Sequence, residues 1–113
     1  MSARALAEIE SLLGRSDDAD EVLRAAVQVL ADEPSISWAC VTFVEGGVLT
    51  PGPTAGVEDE LRRLRTSITF HGTPVGELWV DGEADRAFLT QVSALIAAHV
   101  LIGWDTGGES WDP

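Results

Sequence analysis

The chain has 113 residues and a formal net charge of −12 at pH 7, with seven arginines and no lysine. This length is that of one ordinary domain, and the acidic charge disfavours binding to nucleic acid or to an anionic membrane surface. Cys40 is the only cysteine, which excludes a disulfide framework. The chain shows neither an apolar run long enough to span a membrane nor the layout of a signal peptide, so we expect a cytoplasmic protein.

The first third of the chain predicts two short amphipathic helices. Apolar residues recur at helical spacing over residues 3–13, and Gly14 follows as a stop. Ser16 is a candidate N-cap for a second helix over about residues 18–31. Pro34 prevents that helix from continuing.

The middle of the chain changes to the two-residue period of β-strands. Residues 36–45 carry apolar side chains on both faces, which is typical of a central strand, and the following Glu-Gly-Gly predicts a tight turn into residues 48–50. Residues 65–70 and 75–82 predict a second hairpin. Between the hairpins, residues 57–64 have room for one or two turns of helix.

The last part of the chain contains its strongest helical pattern, over residues 84–104. Residues 105–113 are acidic and rich in glycine, and we predict a flexible tail after a single domain that spans residues 1–104. The order of elements predicts an α+β fold with an antiparallel sheet of about four or five strands. We expect the two N-terminal helices and the long C-terminal helix to pack on one face, with strands 36–45 and 75–81 in the middle.

Two stretches of the sequence resemble a known family. SWACVTFVEGGVLTPGPTAG, residues 37–56, resembles the first hairpin of a GAF domain, and TSITFHGTPVGELWVDGEADRAFLTQVSALIAAHV, residues 66–100, resembles its closing strand–turn–strand–helix unit. Trp38 together with LTPGPTAG is also similar to the branch that includes the free methionine-(R)-sulfoxide reductases. The resemblance covers roughly residues 3–102 and implies a GAF-like, profilin-like fold.

The segment between the two hairpins departs from the family pattern. In the family this segment is long and roofs the ligand pocket, and in the reductase branch it holds the active cysteines. Here residues 57–65 stand in its place, and Cys40 lies in the first strand, so the resemblance carries over no catalytic residue. We therefore expect a reduced GAF-like domain that is not an enzyme, with a methionine sulfoxide reductase-like enzyme as a remote alternative.

The short segment leaves one face of the sheet to be covered. Because the three helices cover one face only, we expect the other face, including Trp38 or Trp79, to be open to water. A large exposed apolar surface of this kind is rare on a monomer. We therefore predict a regulatory homodimer, or association with another protein, across this surface. The alternative is a small-molecule sensor with a reduced pocket formed by Trp38, Trp79, Arg62, Arg63 and Arg65, in which the arginines bind an anionic group.

Other candidate residues have simpler interpretations. The arginines could instead neutralise the acidic residues 58–60 beside them. Cys40 has no cation or base near it in the sequence and is expected to be a small buried apolar residue. His71 and His99 lack metal-ligand spacing, and no phosphate-binding glycine loop is present, so we expect no metal and no cofactor.

Overall fold

The computed structural model describes residues 3–15 and 18–111, with side chains described as far as Leu101. Within these residues, three α-helices and four β-strands follow one another in an α+β order, which confirms the predicted fold class. In chain order the elements are α1 (Ala3–Arg15), α2 (Ala19–Ala31), β1 (Ile36–Glu45), β2 (Val48–Gly56), a 3-10 turn (Glu60–Arg62), β3 (Arg63–Phe70), β4 (Thr73–Gly82) and α3 (Arg86–Trp111).

The four strands form one antiparallel sheet with the order β2-β1-β4-β3. The two most apolar strands, β1 and β4, therefore lie side by side in the centre, as predicted. Gly46 and Gly47 both have a positive φ, 59° and 81°, which a tight turn between β1 and β2 requires and which glycine adopts without strain.

The core lies between the sheet and the helices. Alternate side chains of the central strands point toward the helices, and Ala39, Val41, Leu78 and Val80 are fully buried there. Helix α2 packs against β1 and β2, α3 packs against β3 and β4, and α1 lies against the two other helices. Burial of one large apolar side chain stabilises the fold by roughly 1.5–3 kcal/mol, and the largest fully buried ones include Ile9, Leu23, Leu30, Ile68, Leu89 and Ile96.

The ends of two helices differ from the sequence prediction. Helix α2 is capped by Asp18, whose side chain accepts a hydrogen bond from the Glu21 N–H at 3.2 Å, while the predicted cap Ser16 lies outside the described residues. Helix α3 continues to Trp111, beyond residue 104, although glycines 107 and 108 weaken helix propensity. Side chains from residue 102 onward lie outside those described, and the flexible tail stays a prediction. Within the described part of the chain, no helix is long and apolar enough to cross a membrane.

Strand β2 is longer than the sequence indicated, because it continues through Pro51 and Pro53 to Gly56. Proline cannot donate a hydrogen bond within a sheet, but β2 is an edge strand, where sheets tolerate it. The pairing also contains a bulge, since Cys40 pairs with Thr54 whereas Thr42 pairs with Pro51. The bulged strand forms one side of the surface described next.

Candidate functional site

The sheet face opposite the helices carries aromatic and charged side chains in an ordered arrangement. Side chains two positions apart on a strand share a face, so strand register decides which of them meet. Two neighbouring rows cross the sheet from β1 through β4 to β3: Trp38, Asp81 and Arg63 in the first, and Cys40, Trp79 and Arg65 in the second.

Asp81 and Arg63 form a buried ion pair at the centre of the first row. Arg63 Nε lies 2.8 Å from Asp81 Oδ1 and Arg63 Nη2 lies 2.9 Å from Oδ2, while the Asp59 backbone N–H donates to Oδ2 at 2.7 Å. The Asp81 side chain is 0% exposed and that of Arg63 is 16% exposed. Burial by itself raises the pKa of Asp81, but the hydrogen bonds from Arg63 and Asp59 outweigh it, so the pKa lies below its ordinary value.

The guanidinium of Arg63 lies over tryptophan rings. Its Cζ is 4.4 Å from the centroid of Trp38 and 5.3 Å from that of Trp79, and Arg65 Cζ is 4.6 Å from Trp79. Trp38 is consequently only 7% exposed. The expectation that Trp38 is open to water was wrong, because an arginine held by a buried carboxylate covers the ring. Each such contact stabilises by roughly 0.5–1 kcal/mol or more.

Glu77 lies in the next row along β4, between Thr42 and Ser67, and contacts two members of the second row. Its Oε1 accepts hydrogen bonds from Trp79 Nε1 at 2.8 Å and from Arg65 Nε at 2.9 Å. The guanidinium groups of Arg63 and Arg65 are therefore both paired with carboxylates. Arg62 is exposed in the 3-10 turn and takes no part in these ring contacts among the described residues. The structure thus brings together four of the five residues predicted for a pocket and leaves Arg62 outside.

A cavity of about 280 Å³ opens on this face between β1, β2 and β4. Its lining consists of Trp38, Cys40, Thr42, Leu49, Pro51, Thr54, Glu58 and Trp79. Depressions of about 300 Å³ and 250 Å³ lie among the helices. We select the sheet cavity as the candidate site because strands fix its floor and because aromatic, apolar and a few polar groups converge there, as in small-molecule sites.

The floor of the cavity is formed by strand β1 and contains the free thiol of Cys40. Thr42 Oγ1 donates to the Glu77 carbonyl oxygen at 3.2 Å and accepts from the Glu77 N–H at 3.1 Å. Burial raises the pKa of the Cys40 thiol above its ordinary value, and the Gly52 backbone and the charge of Arg63 offset this only in part. The thiol is therefore protonated at neutral pH, which lowers its reactivity.

The histidines lie apart from this arrangement. His71 is exposed in the β3–β4 turn with φ 53°, and His99 Nδ1 is buried in α3 without a hydrogen-bond partner in the described part of the chain. Among the described residues, no group of three or more His, Cys, Asp or Glu side chains is placed to hold a metal ion.

Sequence inspection did not identify the carboxylates that organise the site. It assigned no role and no partner to Glu77 or Asp81. A signal was present: Glu77, Trp79 and Asp81 alternate on β4, and Arg63 and Arg65 alternate on β3, so antiparallel pairing places opposite charges side by side. The pairing of Arg63 with Glu58 at 3.1 Å agrees with the interpretation that the arginines neutralise the acidic residues 58–60.

No family model matches the chain, and no curated protein matches its sequence. Solved structures do match its fold. The GAF domain of the Acinetobacter phosphoenolpyruvate-protein phosphotransferase has a TM-score of 0.72 and 13% identity, covering 96% of this chain and 99% of that one. The free methionine-R-sulfoxide reductase of Staphylococcus aureus with substrate has a TM-score of 0.69 and 15% identity, covering 85% and 93%. That of Neisseria meningitidis with substrate has a TM-score of 0.65 and 14% identity, covering 97% and 95%. The chain has a GAF-like fold, which confirms the resemblance in its sequence.

These matches correct the expectation that the chain is not an enzyme. Free methionine-R-sulfoxide reductases are enzymes, and their structures match 81–97% of this chain. The expectation rested on cysteines missing from the short middle segment, which concerns one reaction and not catalysis in general. At these identities the matches establish the fold alone.

Proposed function

We propose that this GAF-like domain binds a small molecule in the cavity on the outer face of its sheet and acts through that binding in regulation. The observation that carries the proposal is the preformed floor of the cavity. Trp38, Cys40 and Thr42 are 7%, 3% and 2% exposed, and all three lie on the central strand β1. A site whose side chains are already fixed does not have to order them when a ligand binds.

The cavity sets the size of the ligand. Small-molecule sites are typically ~300–1,000 Å³, so the cavity of about 280 Å³ found here lies just below this range. It corresponds to about nine water volumes at ~30 Å³ each, which suits a molecule of about the same number of non-hydrogen atoms. The reductases of Staphylococcus aureus and Neisseria meningitidis are described with substrate, which supports a ligand-binding role for this fold.

The arginines support the walls of the cavity in this proposal. The sequence suggested that they bind an anionic group, but Arg63 is already paired with Asp81 and Glu58, and Arg65 with Glu77. Releasing Arg63 for a ligand would leave the buried carboxylate of Asp81 unpaired, at a cost of several kcal/mol. Neither guanidinium is therefore assigned to the ligand.

A thermal-shift screen tests this proposal. The purified chain is melted with a panel of metabolites of about ten non-hydrogen atoms, and we expect at least one to raise Tm, because a ligand at ~100 Kd stabilises by about 2.7 kcal/mol. In Thr54→Phe the new ring occupies the cavity and the shift should disappear. The matched control is Thr69→Phe, at an exposed position of β3 outside the lining. A shift that persists in Thr54→Phe, or a panel without any shift, contradicts the proposal.

We infer self-association as a second candidate function. One premise of this candidate, the exposure of Trp38, was wrong, because other residues of the same chain cover this side chain. Val57 and Leu61 nevertheless remain 77% and 98% exposed, and Leu6 and Leu95 line an apolar depression between α1 and α3. Light scattering at several protein concentrations and two salt levels tests this candidate. A salt-resistant dimer supports it, and a monomer at every concentration contradicts it.

A further inference from the structure

We propose that the ligand of the sheet cavity is a small organic cation whose charged group lies against Glu58 and whose apolar body lies against Trp38, Leu49 and Trp79. This inference rests on the proposed function and names the class of ligand. It follows from the balance of charge around the cavity, from the position of Glu58, and from the chemistry of the remaining lining.

The charges beside the cavity leave one carboxylate in excess. Arg63 Nη2 lies 2.9 Å from Asp81 Oδ2 and also 3.1 Å from Glu58 Oε1, so one guanidinium serves two carboxylates. Asp81 is fully buried and holds Arg63 through both of its oxygens, whereas the Glu58 side chain is 57% exposed. Since Arg65 is paired with Glu77, the uncompensated negative charge resides on Glu58.

Glu58 is positioned to use that charge on a ligand. Within the described lining of the cavity it is the one charged side chain. Its Oε1 accepts the bond from Arg63, and Oε2 has no partner in the described part of the chain. A ligand ammonium group placed there would be attracted to the carboxylate by Coulomb interaction and would neutralise the local excess. An anion would be repelled at the same place and by the net charge of −12.

The rest of the lining suits an apolar body without a second charge. The ring of Trp79 already has guanidinium groups 4.6 Å and 5.3 Å from its centroid. The ligand can therefore contact the edge of this ring, together with Leu49 and Pro51, rather than its face. A ligand carboxylate would find no unpaired cation in the described lining, since Glu58 is its charged member. A monocation therefore fits better than a zwitterion.

Matched probes test the inference by calorimetry and tryptophan fluorescence. Choline is compared with its neutral isostere 3,3-dimethyl-1-butanol and with the anion 3,3-dimethylbutanoate. We expect choline to bind at least about tenfold more tightly than the neutral alcohol, as one charge–charge contact of about 1.4 kcal/mol implies. The anion should bind more weakly than either, and added NaCl should reduce the preference for choline.

Two variants locate the selectivity. Glu58→Gln should reduce the choline preference to near unity while the neutral alcohol binds as before. Glu60→Gln removes the same charge two residues away, outside the lining, and should keep the preference. Thermal melts of both variants check that they remain folded.

Each remaining outcome overturns a defined part of the inference. A preference that survives in Glu58→Gln overturns the role of Glu58. Equal binding of choline and the alcohol overturns the cation class but leaves small-molecule binding intact. If none of the three probes binds, the cation class is also overturned, and the metabolite panel decides separately on the proposed function.

Discussion

At Asp81, a carboxylate with no exposed surface accepts hydrogen bonds from three N–H donors, two on Arg63 and one on the backbone of Asp59. The two hydrogen bonds from Arg63 hold its guanidinium group over the ring of Trp38. The hydrogen bond from the Asp59 backbone N–H holds the turn before β3 against the sheet. A residue outside the lining of the cavity thus positions both its aromatic wall and the segment that carries Glu58.

Replacement of Asp81 by Asn should destabilise the protein by about 3 kcal/mol, because it leaves the largely buried guanidinium of Arg63 with a neutral partner. Urea unfolding measures the effect. The control is Asp20→Asn, which breaks the exposed Asp20–Arg24 pair on α2 and should leave stability nearly unchanged. Equal changes in the free energy of unfolding for the two substitutions would show that the buried pair stabilises the protein no more than the exposed pair does.

The same pair makes stability depend on pH in a defined direction. Because the pKa of Asp81 in the folded protein lies below its ordinary value of 3.8, its contribution is complete above pH 3.8 and is lost as the pH falls through the folded value. The stabilities of the wild type and Asp81→Asn should therefore differ between about pH 5 and 8 and converge at acid pH. Denaturation curves that stay equally separated in acid would contradict this.

Individual residues of the site could be predicted from the sequence only where they stand out by type. Tryptophan and arginine are conspicuous in a chain with four tryptophans and seven basic residues, and four of the five chosen residues do meet. Acidic residues are too numerous for one to stand out. Asp81 is distinguished by complete burial, which depends on the packing of the turn and not on a local pattern.

Among the secondary-structure elements, β1 and β4 approach each other where no side chain fits. Gly76 on β4 is paired with Phe43, and a Cβ atom there would collide with the Thr42 carbonyl oxygen and lie 3.2 Å from Val100 Cγ1 of α3. The close approach therefore joins strand pairing to the packing of α3. Both depend on the absence of a side chain at this position.

Gly76→Ala should destabilise by about 2–3 kcal/mol, since overpacking at a rigid contact costs this order of free energy. The matched control is Gly14→Ala in α1, where a Cβ has nothing within 4 Å and helix propensity favours alanine. Guanidinium chloride unfolding should show opposite signs for the two variants. A neutral Gly76→Ala would mean that β1 and β4 separate easily.

The sequence predicted the central elements better than the edges. Strands β1 and β4 are the two most apolar strands, and the structure places both in the centre of the sheet, where each has paired neighbours on both sides. Strand β2 was underestimated because its prolines indicate a loop unless the strand is at an edge, which is a property of the assembled sheet. At the other edge, Arg86 Nη1 donates to the Arg65 carbonyl oxygen at 3.3 Å.

At the scale of the whole molecule, the prolines of β2 and the hydrogen bond from Arg86 to β3 disfavour pairing of the sheet edges with another strand. The outer face is covered at Trp38 by its own arginine. We therefore expect any self-association to use side-chain surfaces such as the one around Leu61, against the repulsion between two acidic chains.

This charge also acts within one molecule. A net charge of −12 is held within a Cα radius of gyration of 13.1 Å, and at ~0.01 M salt the screening length of about 30 Å exceeds that radius. Raising NaCl to about 1 M shortens it to about 3 Å and should raise Tm by several degrees, since about 1 kcal/mol corresponds to roughly 4–8 °C. Salt screens the buried pair of Arg63 and Asp81 less, so the attraction between these two charges is weakened only slightly. Calorimetry measures the effect, and the exposed double variant Glu10→Gln/Glu60→Gln should respond less to salt because it carries less charge. A Tm that falls with added salt would mean that ion pairs outweigh the repulsion.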